Sequence, residues 1–277
     1  MKVNLDSRAA VSVEWLNKHI EAENLLVFNA SFLKVTDDGH ANADQRQIPH
    51  TQFFDIKKAF SDVSGKFPNT IPSEEQFQSE ARKLGINDDS TIIVYDDKGI
   101  YSSARVWWLF KTFGHDNVAI LDGGLPEWLR QDLPTEDKQI NRKPKGDFNA
   151  RFIRDNVVYF KDLETLSEDK AVTILDARSS DRFNCEVPEP RAGLRSGTIP
   201  NSKNLPYADC LKDGKLKPKT ELQAIFKERV AENDTLVFSC GSGITACILD
   251  LAATMTGYED TKVYDGSWTE YGSLTKE

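Results

Sequence analysis

The chain is written twice, and a duplicated chain can fold only as two copies of one architecture. Residues 26–31 (LVFNAS), 48–56 (IPHTQFFDI), 91–96 (TIIVYD) and 120–128 (ILDGGLPEW) return in the same order as 173–178 (TILDAR), 199–207 (IPNSKNLPY), 235–240 (TLVFSC) and 263–271 (VYDGSWTEY). Asn29 matches Asp176, Ile48 matches Ile199, Asp96 matches Cys240 and Asp122 matches Asp265, so every offset lies between 143 and 151 residues. Near-constant offsets in a fixed order mark an internal duplication. Each copy is roughly 125 residues, a comfortable size for one domain.

Each copy alternates short apolar runs with helix-like stretches. LLVFNA, TIIVYD and VAILDG are rich in β-branched residues and end in turn formers, which predicts buried strands of a parallel sheet. Residues 73–85 (SEEQFQSEARKLG) open on Ser-x-Glu and close on Gly, the punctuation of a helix. Residues 220–230 are the counterpart, and 102–114 and 244–257 each follow a strand and end at Gly. Strands alternating with helices predict an α/β fold, each copy a mostly parallel central sheet flanked by helices. The predicted domains are 1–135 and 151–277, joined by a charged interdomain linker at 136–150.

Composition excludes several function classes. The net charge is −9, which argues against nucleic-acid binding and polybasic membrane docking. No run of about 18 apolar residues predicts a membrane span, and the first twenty residues lack the apolar core of a signal peptide. A cytoplasmic location is the resulting expectation. Cys185, Cys210, Cys240 and Cys247 form no CxxC pair, and no Cys/His spacing suggests a metal site.

One cysteine stands out. In 237-VFSCGSGITAC-247, Cys240 sits where a strand stops and a Gly/Ser/Thr turn begins, ahead of a predicted helix. Ligands of parallel sheets bind at the carboxyl ends of strands. Gly241 and Gly243 let the loop curl, so its amides can converge on an anion, and the following helix N-terminus adds partial positive charge. Both effects favour the thiolate. The first copy carries Asp96 at the matching place and so lacks the nucleophile. A phosphatase would need Arg six residues after the cysteine, and position 246 is Ala. A cysteine protease would need a His partner, and His19, His40, His50 and His115 all lie in the first copy with no protease signature. A redox pair with Cys247 is the remaining alternative, although the predicted helix turns Cys247 away from the loop mouth.

CGSGIT, YDGSW downstream, DARSSDRFNCEVPEPR upstream and the first-copy segment 99–124 together resemble the rhodanese superfamily, in its 3-mercaptopyruvate sulfurtransferase branch. The likeness covers almost the whole chain. It implies two tandem rhodanese-like domains with only the second catalytic, and no metal or organic cofactor. It further implies sulfur transfer from 3-mercaptopyruvate through a Cys240 persulfide to a thiol, thioredoxin or cyanide acceptor, with release of pyruvate. The loop residues Gly241, Ser242, Gly243, Ile244 and Thr245 become candidate substrate contacts. Arg182 and Arg191 match the carboxylate-binding arginines of the branch, and a guanidinium fork suits an α-keto carboxylate. Arg178 and Arg195 are secondary candidates in the same run. Ser242 matches a serine of a proton relay whose Asp is Asp38, while the expected His is replaced by Gln47. His40 and His50 are the alternatives to that histidine, and water or the Ser242 hydroxyl is the favoured proton source. Thr245 is expected to cap the helix or orient the loop, Trp268 to line the pocket mouth, Trp107 and Trp108 to pack in the core and between domains, and Asp122 and Asp265 to shape turns. A monomer is expected. The competing readings are a thiosulfate sulfurtransferase and a persulfide carrier or sensor.

Overall fold

The computed structural model describes residues 1–32, 46–231 and 234–276. The chain divides into two compact units. Unit 1 holds Met1–Asp62, Ile71–Ile153 and Asp213–Lys215; unit 2 holds Val63–Thr70, Arg154–Lys212 and Leu216–Glu277.

Unit 1 is built on a five-stranded sheet of β1 (Ala10–Val11), β2 (Leu25–Asn29), β3 (Thr51–Phe53), β4 (Thr91–Tyr95) and β5 (Val118–Leu121), in the order β1-β5-β4-β2-β3. Every pairing is parallel. Unit 2 has β6 (Val157–Val158), β7 (Val172–Asp176), β8 (Lys203–Asn204), β9 (Thr235–Ser239) and β10 (Thr261–Tyr264), in the order β6-β10-β9-β7-β8. These pairings are parallel too. Strand by strand the two orders are the same, so both units have the predicted α/β architecture. The central β4 is buried at all five positions, which is why its sequence reads as one apolar run rather than an alternation.

The helices form where their punctuation says. In α1 (Glu74–Lys83), the Ser73 hydroxyl accepts from the Gln76 N–H at 3.2 Å, two glutamates sit in the first turn and Arg82 and Lys83 in the last. Phe77 and Ala81, one turn apart, are its buried face. In unit 2, α2 (Ala246–Thr256) is buried nearly all round, as a helix apolar on every face must be. Gly257, at φ +103°, ends it in the left-handed conformation. Two further helices position the site: α3 (Ser267–Leu274) follows β10, and the short Ser180–Phe183 turn of helix follows β7.

The stretch 136–150 does not run free as a linker. Glu136–Asp137 pair antiparallel with Arg46–Gln47, and the N–H groups of Gly146 and Phe148 donate to Arg82 and Ile86 carbonyls at 2.8 and 3.1 Å. Phe148 is buried, and a Cβ at Gly146 would stand 1.9 Å from the Ile86 oxygen. Its backbone groups and one aromatic are thus satisfied on unit 1, which extends to Ile153. A second departure is Val63–Thr70, a segment of the first copy that belongs to unit 2.

Candidate active site

The loop after β9 carries Cys240 at its start, 2 % exposed. Its shape is set from the β10–α3 corner. The Ser267 hydroxyl accepts from the N–H groups of Cys240 (3.0 Å) and Gly243 (3.2 Å), and it lies 2.9 Å from the Tyr264 carbonyl and 3.8 Å from the Cys240 sulfur. The N–H groups of Trp268 and Thr269 then donate to the Cys240 and Gly241 carbonyls, each at 2.9 Å. Ser267 is fully buried and held at φ +51°, a left-handed conformation unusual for a side-chain-bearing residue. Sequence reading took the YDGSW stretch for a turn and missed Ser267, because a serine in a turn carries no sign that its oxygen will meet two remote amides.

With those contacts made, the N–H groups of Gly241, Ser242, Ile244 and Thr245 meet no acceptor among the described residues. Unit 1 displays what such a loop holds. There the Asp96 carboxylate, fully buried, accepts from the N–H groups of Lys98 (2.9 Å), Tyr101 (2.8 Å) and Ser103 (2.9 Å). Leu125 donates to the Asp96 carbonyl just as Trp268 donates to that of Cys240. The first-copy loop therefore carries its own anion, and the second-copy loop places a thiol at that position.

Four arginines of the run 178–195 separate by their partners, and only Arg178 is buried. Arg178 is buried between Asp176 and Glu189, donating to Asp176 at 2.7–3.1 Å and to Glu189 at 2.7 Å. Burial opposes its charge, but Asp176 and Glu189 outweigh that and raise its pKa. Arg195 lies over the Trp268 ring at 4.7 Å and donates to Thr275. Arg178 is thus fully engaged by two carboxylates, and Arg195 is held at Trp268 and Thr275. Arg182 donates to the second Glu189 oxygen at 2.6 Å, while its buried Nε meets no acceptor among the described residues. Arg191 donates to the Ser242 hydroxyl at 3.1 Å. A Cβ built on Gly241 would stand 3.1 Å from Arg182 Nη2 and 3.9 Å from Arg191 Nη1. Arg182 and Arg191 thus flank the residue next to Cys240, and the rest of the loop is uncharged.

Several expectations are corrected. Thr245 occupies the cap position of α2 but its hydroxyl makes no capping bond, because its backbone is already helical at φ −78°, ψ −16°. Trp268 does not line a pocket mouth; it is fully buried in the core, with its indole N–H on the Arg195 carbonyl at 2.9 Å. Trp107 and Trp108 are buried, which fits the core half of their expected role. Gln47 donates to Glu136 in unit 1. Asp38 and His40 lie outside the described residues. Besides Arg191, the Ser242 hydroxyl is met by Asn69, whose Nδ2 donates to it at 3.1 Å. Nothing in the local sequence GKFPNTIP marks Asn69, since the contact exists only because Val63–Thr70 belongs to unit 2. Cys247 is buried with its sulfur on the Gly243 carbonyl, Cys185 is exposed, and burial pushes the Cys210 thiol up to about 12. Among the described residues, no group of three or more His, Cys, Asp and Glu side chains is gathered as a metal would require, and no helix is long and apolar enough to cross a membrane.

Residues 12–131 and 160–274 each match the rhodanese-like domain family. The chain belongs to the rhodanese family and carries its domain twice. A 3-mercaptopyruvate sulfurtransferase of Escherichia coli is 39% identical over 267 residues, covering 95% of this chain and 94% of that protein. A thiosulfate sulfurtransferase of Mus musculus is 35% identical, covering 95% of this chain and 92% of that protein. The crystal structure of SseA from Escherichia coli, a 3-mercaptopyruvate sulfotransferase of rhodanese fold, superposes with TM-score 0.84 at 37% identity, covering 94% of this chain and 98% of that one. Within the family, the chain is an enzyme, a sulfurtransferase of the 3-mercaptopyruvate sulfurtransferase type.

Proposed function

We propose that unit 2 takes sulfur from 3-mercaptopyruvate onto Cys240 and passes it to a thiol, thioredoxin or cyanide, and that unit 1, with Asp96 in place of the cysteine, carries no sulfur. The Cys240 thiolate attacks the donor sulfur. An S–S bond forms, the C–S bond breaks, and its electron pair leaves with carbon as the pyruvate enolate. The sulfur moves in the sulfane state. The enolate gains one proton and the donor thiol gives one up, so the balance closes through water without a protein acid. The acceptor then attacks the outer sulfur and returns the thiolate. The amides of Gly241, Ser242, Ile244 and Thr245, which meet no acceptor among the described residues, stabilise the anionic sulfur, as the Asp96 carboxylate is held in the other copy. Ser242 donates to the oxygen of the departing enolate.

The observation that carries the choice of donor is Arg182. Its buried Nε meets no acceptor among the described residues, and its guanidinium stands with that of Arg191 beside Gly241. A planar carboxylate satisfies such a fork. Thiosulfate is the rival donor. The test is turnover with both donors at matched concentration, with pyruvate measured. Mercaptopyruvate is expected to win, and Arg182→Ala is expected to raise its KM roughly 10- to 100-fold, since a charged hydrogen bond contributes about 1.5–3 kcal/mol. Clear preference for thiosulfate, or an unchanged KM, refutes the reading. Cys240→Ser is expected to abolish turnover and leave the fold intact; a stable Cys240 persulfide without repeated turnover would favour a carrier instead.

A further inference from the structure

The Ser242 hydroxyl is loaded with donors. Asn69 Nδ2 and Arg191 Nη2 each approach its oxygen at 3.1 Å. The guanidinium has only donors to offer. The amide could in principle present its oxygen instead, but the same Asn69 nitrogen lies 3.5 Å from the Ser242 carbonyl. A carbonyl there repels Oδ1 and accepts from Nδ2, which fixes the amide orientation. Both lone pairs of the hydroxyl are therefore spoken for, and its proton meets no acceptor among the described residues. With its Cβ bond and two incoming donors occupying three directions, the O–H is left to the fourth.

We infer that Asn69 is a positioning residue which, with Arg191, holds Ser242 as a hydrogen-bond donor to the 2-oxo oxygen of the sulfur donor. This rests on the mercaptopyruvate reading above and goes beyond it by naming the group that sets the direction of the Ser242 proton. As the C–S bond breaks, negative charge grows on that oxygen, so a preset donor acts more on the transition state than on the bound ketone. Neither group touching Ser242 can take or give a proton near neutral pH. Ser242 is thus a fixed dipole and not one link of a proton relay. Asn69 stands at φ +63°, a left-handed conformation that asparagine tolerates, so the backbone at this position fits the residue that the hydrogen bond needs.

The test is a double-mutant cycle on mercaptopyruvate turnover with Asn69→Gly, Ser242→Ala and the pair. Glycine accepts the positive φ without strain, so the amide is removed and the backbone kept. Asn69→Gly and Ser242→Ala are each expected to lower kcat about 10-fold with KM within about 2-fold, and the double variant to be no slower than Ser242→Ala alone. Asn69→Asp, nearly the same shape, turns the hydroxyl toward its own carboxylate, and its kcat is expected at or below that of Ser242→Ala. A double variant that loses the product of the two single effects overturns the inference, because Asn69 then acts without Ser242; so does an Asn69→Asp enzyme with wild-type kcat. The mass of Cys240 after incubation with mercaptopyruvate separates the two readings. Absence of added sulfur in the wild type refutes the donor assignment and the inference together. Added sulfur with multiplicative losses refutes the inference alone.

Discussion

Removing the Ser267 hydroxyl tests how the nucleophile loop is held. Ser267→Ala leaves the N–H groups of Cys240 and Gly243 without the oxygen they reach at 3.0 and 3.2 Å, in a place fully closed to solvent. An orphaned buried donor costs about 1–3 kcal/mol, so the pair is expected to cost about 2–4 kcal/mol after some relaxation. The Trp268 and Thr269 N–H bonds to the loop carbonyls stay, which caps the loss. Ser267→Gly loses the same oxygen but also relieves the φ of +51°. Left-handed backbone costs an L-residue about 1–2 kcal/mol, and the extra freedom of glycine in the unfolded chain returns about 0.5–1 kcal/mol. The Gly variant is therefore expected to be about 0.5–1 kcal/mol more stable than the Ala variant. Urea unfolding followed by circular dichroism reads both differences from the midpoint at constant slope. An Ala variant within 0.5 kcal/mol of wild type, or a Gly variant less stable than the Ala variant, refutes the reasoning.

Two further outcomes follow from unit 1. Asp96→Ala takes the shared acceptor from three N–H groups, one buried and two partly buried, and is expected to destabilise by about 2–4 kcal/mol, while Asp96→Asn, which keeps one acceptor oxygen, loses about 1–2 kcal/mol; equal losses in urea unfolding would mean that the amides do not hold the carboxylate. Arg130 donates to both oxygens of Glu127 at 2.7 Å and, against the opposing effect of burial, holds its pKa at about 2 rather than 4.5. A value lowered by folding stabilises fully above about pH 4.5 and less and less as pH falls toward 2. Arg130→Ala is expected to move the Glu127 titration upward by NMR and to flatten that acid loss; an unmoved titration would refute the assignment.

The fold was legible because its signals are local. TIIVY and TLVFS read as buried strands since every residue of a central parallel strand faces apolar neighbours, and the Ser73 start and Gly85 stop bracket a helix within one short window. The stretch 136–150 lies between the two matched domains, and although its charge suggests solvent, backbone bonds and one phenylalanine hold it on unit 1. Arg178 and Arg182 look alike in the sequence, four residues apart in one charged run. What divides them is the carboxylates they meet: Arg178 is buried between Asp176 and Glu189, while Arg182 takes only the second Glu189 oxygen and stays partly exposed.

The sequence by itself determined the two-fold repeat, the parallel α/β architecture, the strand-end place of Cys240 and the copy in which it is missing, since each of these is written in order and spacing. The tertiary structure alone decided which groups surround that cysteine. Ser267, 27 residues on, reaches the loop through the β10–α3 corner, and Asn69, 173 residues before Ser242, reaches it because a short segment of the first copy belongs to unit 2. A hydrogen bond is specific over about three ångströms of space and blind to distance along the chain, so no local pattern of residues foretells which asparagine or serine will make it.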